Sequence, residues 1–263
     1  MLGAIFGDVV GSVYEFNNIH TKAFPLFSKG CTFTDDTVMT VAVAEALLGG
    51  ADDAESFKAR LVRLMRDYGR RYPGRGYGGR FGMWLADERM GAYRSFGNGS
   101  AMRVSPVAYA ASSLEEALQL AALTAEVTHD HPEGVKGAVA TAGATYLALI
   151  GADKAEILAF LHRYYPMTRT VEEIRPTYYF NETCQETVPE AMQCFLESEG
   201  FEDAIRIGIS LGGDSDTLCA ICGGVAEAYY GLTAEEERQV LSYLDAPLTD
   251  VIKRFFAKYS RRA

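Results

Sequence analysis

Apolar residues in this chain recur at helical spacing, and nowhere do they settle into the two-residue alternation of a half-buried strand. Leu2 to Phe16 is apolar, with Gly3, Gly7 and Gly11 four apart. That stripe predicts a helix which another helix can approach closely, at about 1 kcal/mol of propensity per glycine. Asp8 and Glu15, seven apart, would share a side of it. Asn17 to Thr32, with Pro25 and Gly30, reads as a loop. Val38 to Leu48 is helical and stops at Gly49-Gly50, and Ala54 to Tyr68 aligns Phe57, Leu61, Leu64 and Met65 on one face. Phe81 to Glu88 and Ala101 to Ala111 are shorter helical pieces following glycine-bearing loops. Leu114 to Thr128 has Ser113 as its cap and Glu116 to complete a capping box. Glu133 to Ile150 is small and apolar, as in tightly packed helices, and Asp153 to Tyr164 follows. Met167 to Glu186, with Pro176 and Tyr178-Tyr179-Phe180, reads as irregular. The last helices are Val188 to Glu197, Phe201 to Leu211, Ser215 to Tyr230, Ala234 to Tyr243 and Leu248 to Tyr259. With no tandem repeat and no low-complexity linker, the pattern predicts an all-α protein, one compact domain spanning residues 1–263.

Charge narrows the function. The 263 residues include 25 basic and 35 acidic ones, a formal net charge of -10. Nucleic acid and anionic membranes both require a positive field, so neither is expected as a partner. A phosphate-bearing ligand would have to be met locally, by metal ions, a few arginines or helix N-termini. Cys219 and Cys222 form a CxxC inside an apolar helix, with no second CxxC or nearby His, and are read as buried thiols. The N-terminal Met1-Leu2-Gly3-Ala4 has no basic leader region, and no apolar run approaches the ~18 residues that span a bilayer. The expectation is a soluble, cytoplasmic monomer.

Two acidic clusters carry the chemistry. Thr34-Asp35-Asp36-Thr37 and Gly213-Asp214-Ser215-Asp216-Thr217 each open an apolar helix, where carboxylates suit the positive end of the dipole. Adjacent anions repel unless a cation lies between them, and hard oxygen ligands suit Mg²⁺, Mn²⁺ or Ca²⁺. The plain alternative is a pair of N-caps with surplus charge. If the two clusters meet, four aspartates and two threonines, with Glu15 as a fifth carboxylate, would suit a binuclear metal centre in a central cleft. Asp8 is read as structural, bonding a neighbouring backbone. The loops Arg75-Gly76-Tyr77-Gly78-Gly79-Arg80 and Gly97-Asn98-Gly99-Ser100 are turns or phosphate-binding loops. His129 and His131 are capping residues or ligand contacts; His20 and His162 are surface residues.

These motifs together resemble the ADP-ribosylglycohydrolase family over nearly the whole chain. Gly7-Asp8 through Gly11-Ser12 to Glu15 resembles the family's first helix, and Phe33-Thr34-Asp35-Asp36-Thr37 its first metal motif. Arg75 to Gly78, Ser95-Phe96-Gly97-Asn98-Gly99 and Ala101-Met102-Arg103 resemble its ligand loops. His129 falls at a ligand-contacting histidine, and Gly213 to Thr217 at the second metal motif. The resemblance implies an all-α orthogonal fold whose cleft binds ADP-ribose with two Mg²⁺, or Mn²⁺ as in some members. It implies an enzyme that hydrolyses the C1″ bond between ADP-ribose and a modified protein side chain. Thr34, Asp35, Asp36, Asp214, Asp216 and Thr217 would hold the metals, with Asp36, Asp214 and Glu15 closest to the chemistry. Gly76, Tyr77, Gly78, Ser95, Phe96, Gly97, Asn98, Gly99, His129, His131, Gly213 and Ser215 would contact the ligand, Phe96 by stacking on adenine.

The acceptor is read from Gly11-Ser12-x-x-Glu15, which resembles the branch acting on O-linked serine adducts more than the arginine branch. Gln185 and Glu186, in the irregular stretch, would face it. Two other readings share the scaffold: a hydrolase of free ADP-ribose derivatives such as O-acetyl-ADP-ribose, and a non-catalytic crystallin-like relative. The four intact aspartates argue against the second.

Overall fold

The computed structural model describes residues 1–51 and 53–259. Its helices, in chain order, begin with α1 (Leu2–Gly11), α2 (Asp35–Leu48), α3 (Ala54–Arg71), α4 (Gly79–Ala86) and α5 (Gly99–Met102). Next come α6 (Ser105–Ala110), α7 (Leu114–Glu126), α8 (Pro132–Leu149), α9 (Lys154–Leu161) and α10 (Val171–Ile174). The chain ends with α11 (Cys184–Glu197), α12 (Phe201–Leu211), α13 (Ser215–Tyr230), α14 (Ala234–Leu241) and α15 (Ala246–Lys258). Among the described residues there is no strand, only an isolated bridge between Gly97 and Thr183. No helix is long and apolar enough to cross a membrane among those residues.

The glycine stripe of α1 sets the architecture. A Cβ on Gly3 would lie 2.3 Å from the Gly223 carbonyl oxygen, and one on Gly7 2.0 Å from that of Cys219. One on Gly11 would lie 2.4 Å from Asp216 Cα. These pairings run antiparallel, so the two helices touch backbone to backbone, and the end of α1 is delivered to the start of α13. Every residue of α13 from Ser215 to Glu227 is buried. At the far end, Glu227 accepts from the Met1 ammonium and from the Gly3 N–H (2.7 Å). Gly7→Ala is therefore expected to destabilise the protein by about 3 kcal/mol, because a carbonyl cannot yield as a flexible side chain can. Urea denaturation reads this directly, and parental stability in the variant would mean that α1 can slide without cost.

Four local readings are corrected by the structure. The first helix ends at Gly11, and Ser12 bonds back to the Val9 carbonyl (2.9 Å), so Glu15 lies in a turn beyond it and shares no helix face with Asp8. The 101–111 piece is interrupted between α5 and α6 around Arg103, whose side chain is buried. Glu116 closes no capping box. It bonds the N–H of Ser112 (2.7 Å), while Ser113 alone caps α7. The 167–186 stretch contains α10, and α11 starts before Val188, despite Pro189. There Cys184 N–H donates to Phe96 O (2.9 Å) and Asn98 N–H to Glu182 O (2.7 Å), so a distant loop fixes the start of this helix. The cysteines are free thiols, all buried except the half-buried Cys31.

Candidate active site

Asp8 fastens the first acidic motif to α1. Fully buried, it accepts from the Thr34 N–H (3.0 Å), the Thr34 hydroxyl (2.7 Å), the Thr37 N–H (3.1 Å) and the Thr37 hydroxyl. Its carboxylate thus serves the N-terminus of α2 across space, the structural role its place on the glycine helix suggested. Burial raises its pKa, and these hydrogen bonds oppose the rise. Thr34 also caps α2 by accepting from the Asp36 N–H (3.3 Å). Asp35 donates its N–H to the Arg75 carbonyl (2.7 Å), and Arg75 reaches back to Thr32 Oγ1 (2.8 Å) and the Phe33 carbonyl (3.0 Å). The first glycine loop is thereby clamped onto the first acidic motif. At Gly76 the backbone has φ +94°, and a Cβ would lie 3.2 Å from Asp35 Oδ1, so glycine is required there.

The second motif is held by a turn with positive φ at Gly212 (77°) and Gly213 (73°). Asn18 braces it, accepting from the Gly213 N–H (2.9 Å) and donating to the Gly213 carbonyl (3.0 Å). Asp214 accepts from Asn98 Nδ2 (2.7 Å), which ties in the second glycine loop. The two acidic motifs meet directly, with Thr217 Oγ1 donating to Asp36 Oδ2 at 3.3 Å. Carboxylate oxygens of Glu15, Asp214 and Asp216 lie within 4.8 Å of one another.

These acids strain against each other. Burial, then Asp214 and Glu182, raise Glu15 to about 7; burial, then Asp8, raise Asp35 to about 8. Burial and neighbouring carboxylates push Asp36 and Asp216 well above the usual range. One oxygen of each, Asp36 Oδ1 and Asp216 Oδ1, is buried without a hydrogen-bond partner. A buried anionic oxygen with no donor is costly, and a hard divalent cation is the partner such a set of oxygens fits.

The cleft over this cluster has a volume of about 260 Å³. Glu15, Asp35, Asp36, Asp214, Asp216 and Thr217 form its acidic wall. Gly76, Gly78, Gly79, Ser95, Gly97, Asn98 and Gly99 line it as well, with His129 behind the second loop. His129 is buried, and a Cβ on Gly99 would lie 3.3 Å from its Nε2. Burial, then the nearby Arg103, hold its pKa well below the ordinary value, so the ring is neutral. Arg103 donates to Thr128 Oγ1 (2.8 Å), and that hydroxyl lies 2.7 Å from His129 Nδ1. In the tautomer where Thr128 gives its proton to Nδ1, Nε2–H is the donor toward the glycine loop.

Other expected contacts lie elsewhere. His131 caps α8, its Nδ1 accepting from the Glu133 N–H (3.1 Å), and it is not at the cleft wall. Phe96 is an exposed ring 5.3 Å from the His131 ring, beside the wall and not in it. The Tyr77 hydroxyl donates to the Tyr72 carbonyl (2.9 Å). Ser215 Oγ donates to the Gly213 carbonyl (3.3 Å), and Thr34 gives its hydroxyl proton to Asp8 (2.7 Å), which still leaves its oxygen able to meet a cation. Conversely, Arg80, Phe81, Tyr93, Met102, Arg103 and Glu182 line the cleft and were not singled out as site residues. The run Ala101-Met102-Arg103 was the available signal for two of them. For Tyr93 and Glu182 the sequence carries none.

The ADP-ribosylglycohydrolase family profile matches residues 1–262. ADP-ribosylhydrolase ARH3 from Mus musculus is 27% identical, over 96% of this chain and 88% of its own length. The Pseudomonas putida ADP-ribosylarginine hydrolase Tri1 is 29% identical, over 89% of this chain and 70% of its own. A solved ADP-ribosylglycohydrolase-related protein complex superposes with a TM-score of 0.70, at 26% identity, over 100% of this chain and 97% of that one. With the acidic motifs and glycine loops converging on one cleft, this chain belongs to the ADP-ribosylglycohydrolase family and is an ADP-ribosyl hydrolase, a glycosidase.

Proposed function

We propose that this enzyme removes ADP-ribose from a modified protein side chain by hydrolysing the C1″ glycosidic bond, that it depends on Mg²⁺, and that it favours O-linked serine adducts. The observation that carries the metal dependence is the pair of buried, unpartnered oxygens, Asp36 Oδ1 and Asp216 Oδ1, in a cleft otherwise lined by glycine loops. Thr34, Asp35, Asp36, Asp214, Asp216 and Thr217 would hold two cations. Such ions supply positive charge for the distal ribose hydroxyls and lower the pKa of nearby water.

The chain's own groups do the rest. Glycine-loop amides at 76–79 and 97–99 bind pyrophosphate oxygens without a basic side chain, and the His129 Nε2–H adds a neutral donor. Asn98 orients Asp214 through its 2.7 Å bond. Glu15, beside Asp214 and Asp216 in the cleft, is placed to give or take the leaving group's proton as an oxocarbenium-like transition state forms. The serine preference rests on Gly11-Ser12-x-x-Glu15, which resembles the branch acting on O-linked serine adducts.

ADP-ribose release from serine- and arginine-modified peptides, with Mg²⁺ or EDTA, tests the proposal; release unaffected by EDTA, or confined to arginine, would defeat its metal or acceptor half. Glu15→Ala is expected to lower kcat about 10²-fold, the scale of a lost general acid–base, while shifting the ADP-ribose Kd less than about threefold. A Kd that rises while kcat holds would make Glu15 a binding residue.

A further inference from the structure

Six large apolar side chains are exposed among the described residues, and three of them, Phe16, Tyr179 and Phe180, flank the cleft glutamates Glu15 and Glu182 in sequence. Phe16 is 79% exposed and Phe180 39%, yet their rings stack, centroids 5.9 Å apart and planes 24° from parallel. Contiguous aromatic surface left in water beside a binding cleft marks a place where something else docks. Both segments are fastened to the site. Asn18 braces Gly213 on one side, and on the other the Glu182 carbonyl accepts from the Asn98 N–H (2.7 Å).

The surroundings fix the sign of the partner. The charges acting on Glu15 are those of Asp214, Glu182 and Asp8, all carboxylates. Glu182 is exposed at the cleft and adds a negative group next to the stacked rings. With the proposed cations in place, Glu182 is still a free carboxylate two residues from Phe180. An open aromatic face near such a group favours a guanidinium or ammonium, by cation–π attraction and ion pairing together. Phe16 directly follows Glu15, whose carboxylate sits with those of Asp214 and Asp216. The pair therefore stands at the acidic end of the cleft, where the proposed function puts the bond to be cut and the acceptor beyond it.

We infer that Phe16, Phe180 and Glu182 form a subsite for a basic side chain adjacent to the modified residue of the acceptor, so that the enzyme selects modified serines in basic sequence. The inference rests on the site acting on ADP-ribosylated protein, as proposed above. The test uses two peptides carrying ADP-ribose on one serine, with arginine or alanine as its neighbour, and compares the parent enzyme with Phe16→Ala/Phe180→Ala. In the parent, KM for the arginine peptide is expected to be about tenfold lower at equal kcat. In the double variant that ratio falls below about twofold, and Phe16→Tyr alone retains it. Equal KM values for the two peptides in the parent, or discrimination that survives the double truncation, overturns the subsite and leaves the hydrolase reading intact. Failure of the parent to release ADP-ribose from either peptide defeats both. If only an arginine-linked substrate responds to the truncation, the cation bound is the leaving group itself and the subsite as described is wrong.

Discussion

Asp36→Asn and Asp216→Asn are each expected to cut turnover by about 10³-fold or more. Treated with EDTA at pH 8, both should also melt higher than the parent. The two effects share one cause. Each carboxylate is buried, keeps an oxygen without a donor, and lies among other acids. An asparagine of nearly the same shape removes the cost of burying that carboxyl, whether it is held as an anion or by keeping a proton the unfolded chain has lost, but also removes a hard anionic ligand. Relief of even 1–2 kcal/mol corresponds to a rise of roughly 2–8 °C for a chain of this size. Thermal melts followed by circular dichroism, alongside ADP-ribose release, read both halves. Parental turnover in either variant would make the acids structural, and lower melting of both in EDTA would show that their charges are not in conflict.

The second large effect is the response to pH without metal. Burial and neighbouring acids raise Glu15 to about 7 and Asp35 to about 8 in the folded protein, and push Asp36 and Asp216 well above the usual carboxylate range. Between the unfolded and folded values the native state holds protons that the unfolded chain has lost. Stability therefore falls as pH rises through that window. His129, kept neutral by burial, works in the opposite sense below about pH 6.5, so the clean interval begins near 7. In EDTA the melting temperature is expected to drop by about 5 °C or more between pH 7 and 8.5. Millimolar Mg²⁺ should reverse most of that drop, and the gain over EDTA should widen with pH because protons and cations compete for the same oxygens. A gain that is constant across the interval would mean that Mg²⁺ binds somewhere other than these acids.

Much of this could be read from the chain. The glycine stripe at 3, 7 and 11 announces a close helix contact, and α13 indeed touches it backbone to backbone. Crowded carboxylates at two helix starts point to the cleft, because the helix dipole favours one such group at each start and not two that repel each other. Less legible were the particular partners that side chains and loop backbone take. Glu116 bonds Ser112 and not Ser113; α11 starts early because the 96–98 loop holds it; Tyr77 and His131 satisfy local bonds and leave the cleft to glycines. No periodicity encodes such pairings, which depend on which loops happen to be neighbours.

Sequence by itself determined the helical class, the place of each acidic motif at a helix N-terminus, and the chemistry of the donors, since these follow from residue type and short-range spacing. Only the tertiary structure decided that Asp36 and Thr217, 181 positions apart, share a hydrogen bond, and that Glu15 joins Asp214 and Asp216 from a turn beyond α1. It also decided that Nδ1 of His129 is engaged by Thr128, which Arg103 holds from another segment, with Nε2 at the glycine loop. The physical reason is the same in each case: a carboxylate's charge state and a ring's tautomer are set by what packing brings within about 3–5 Å of them, and that distance is a property of the fold.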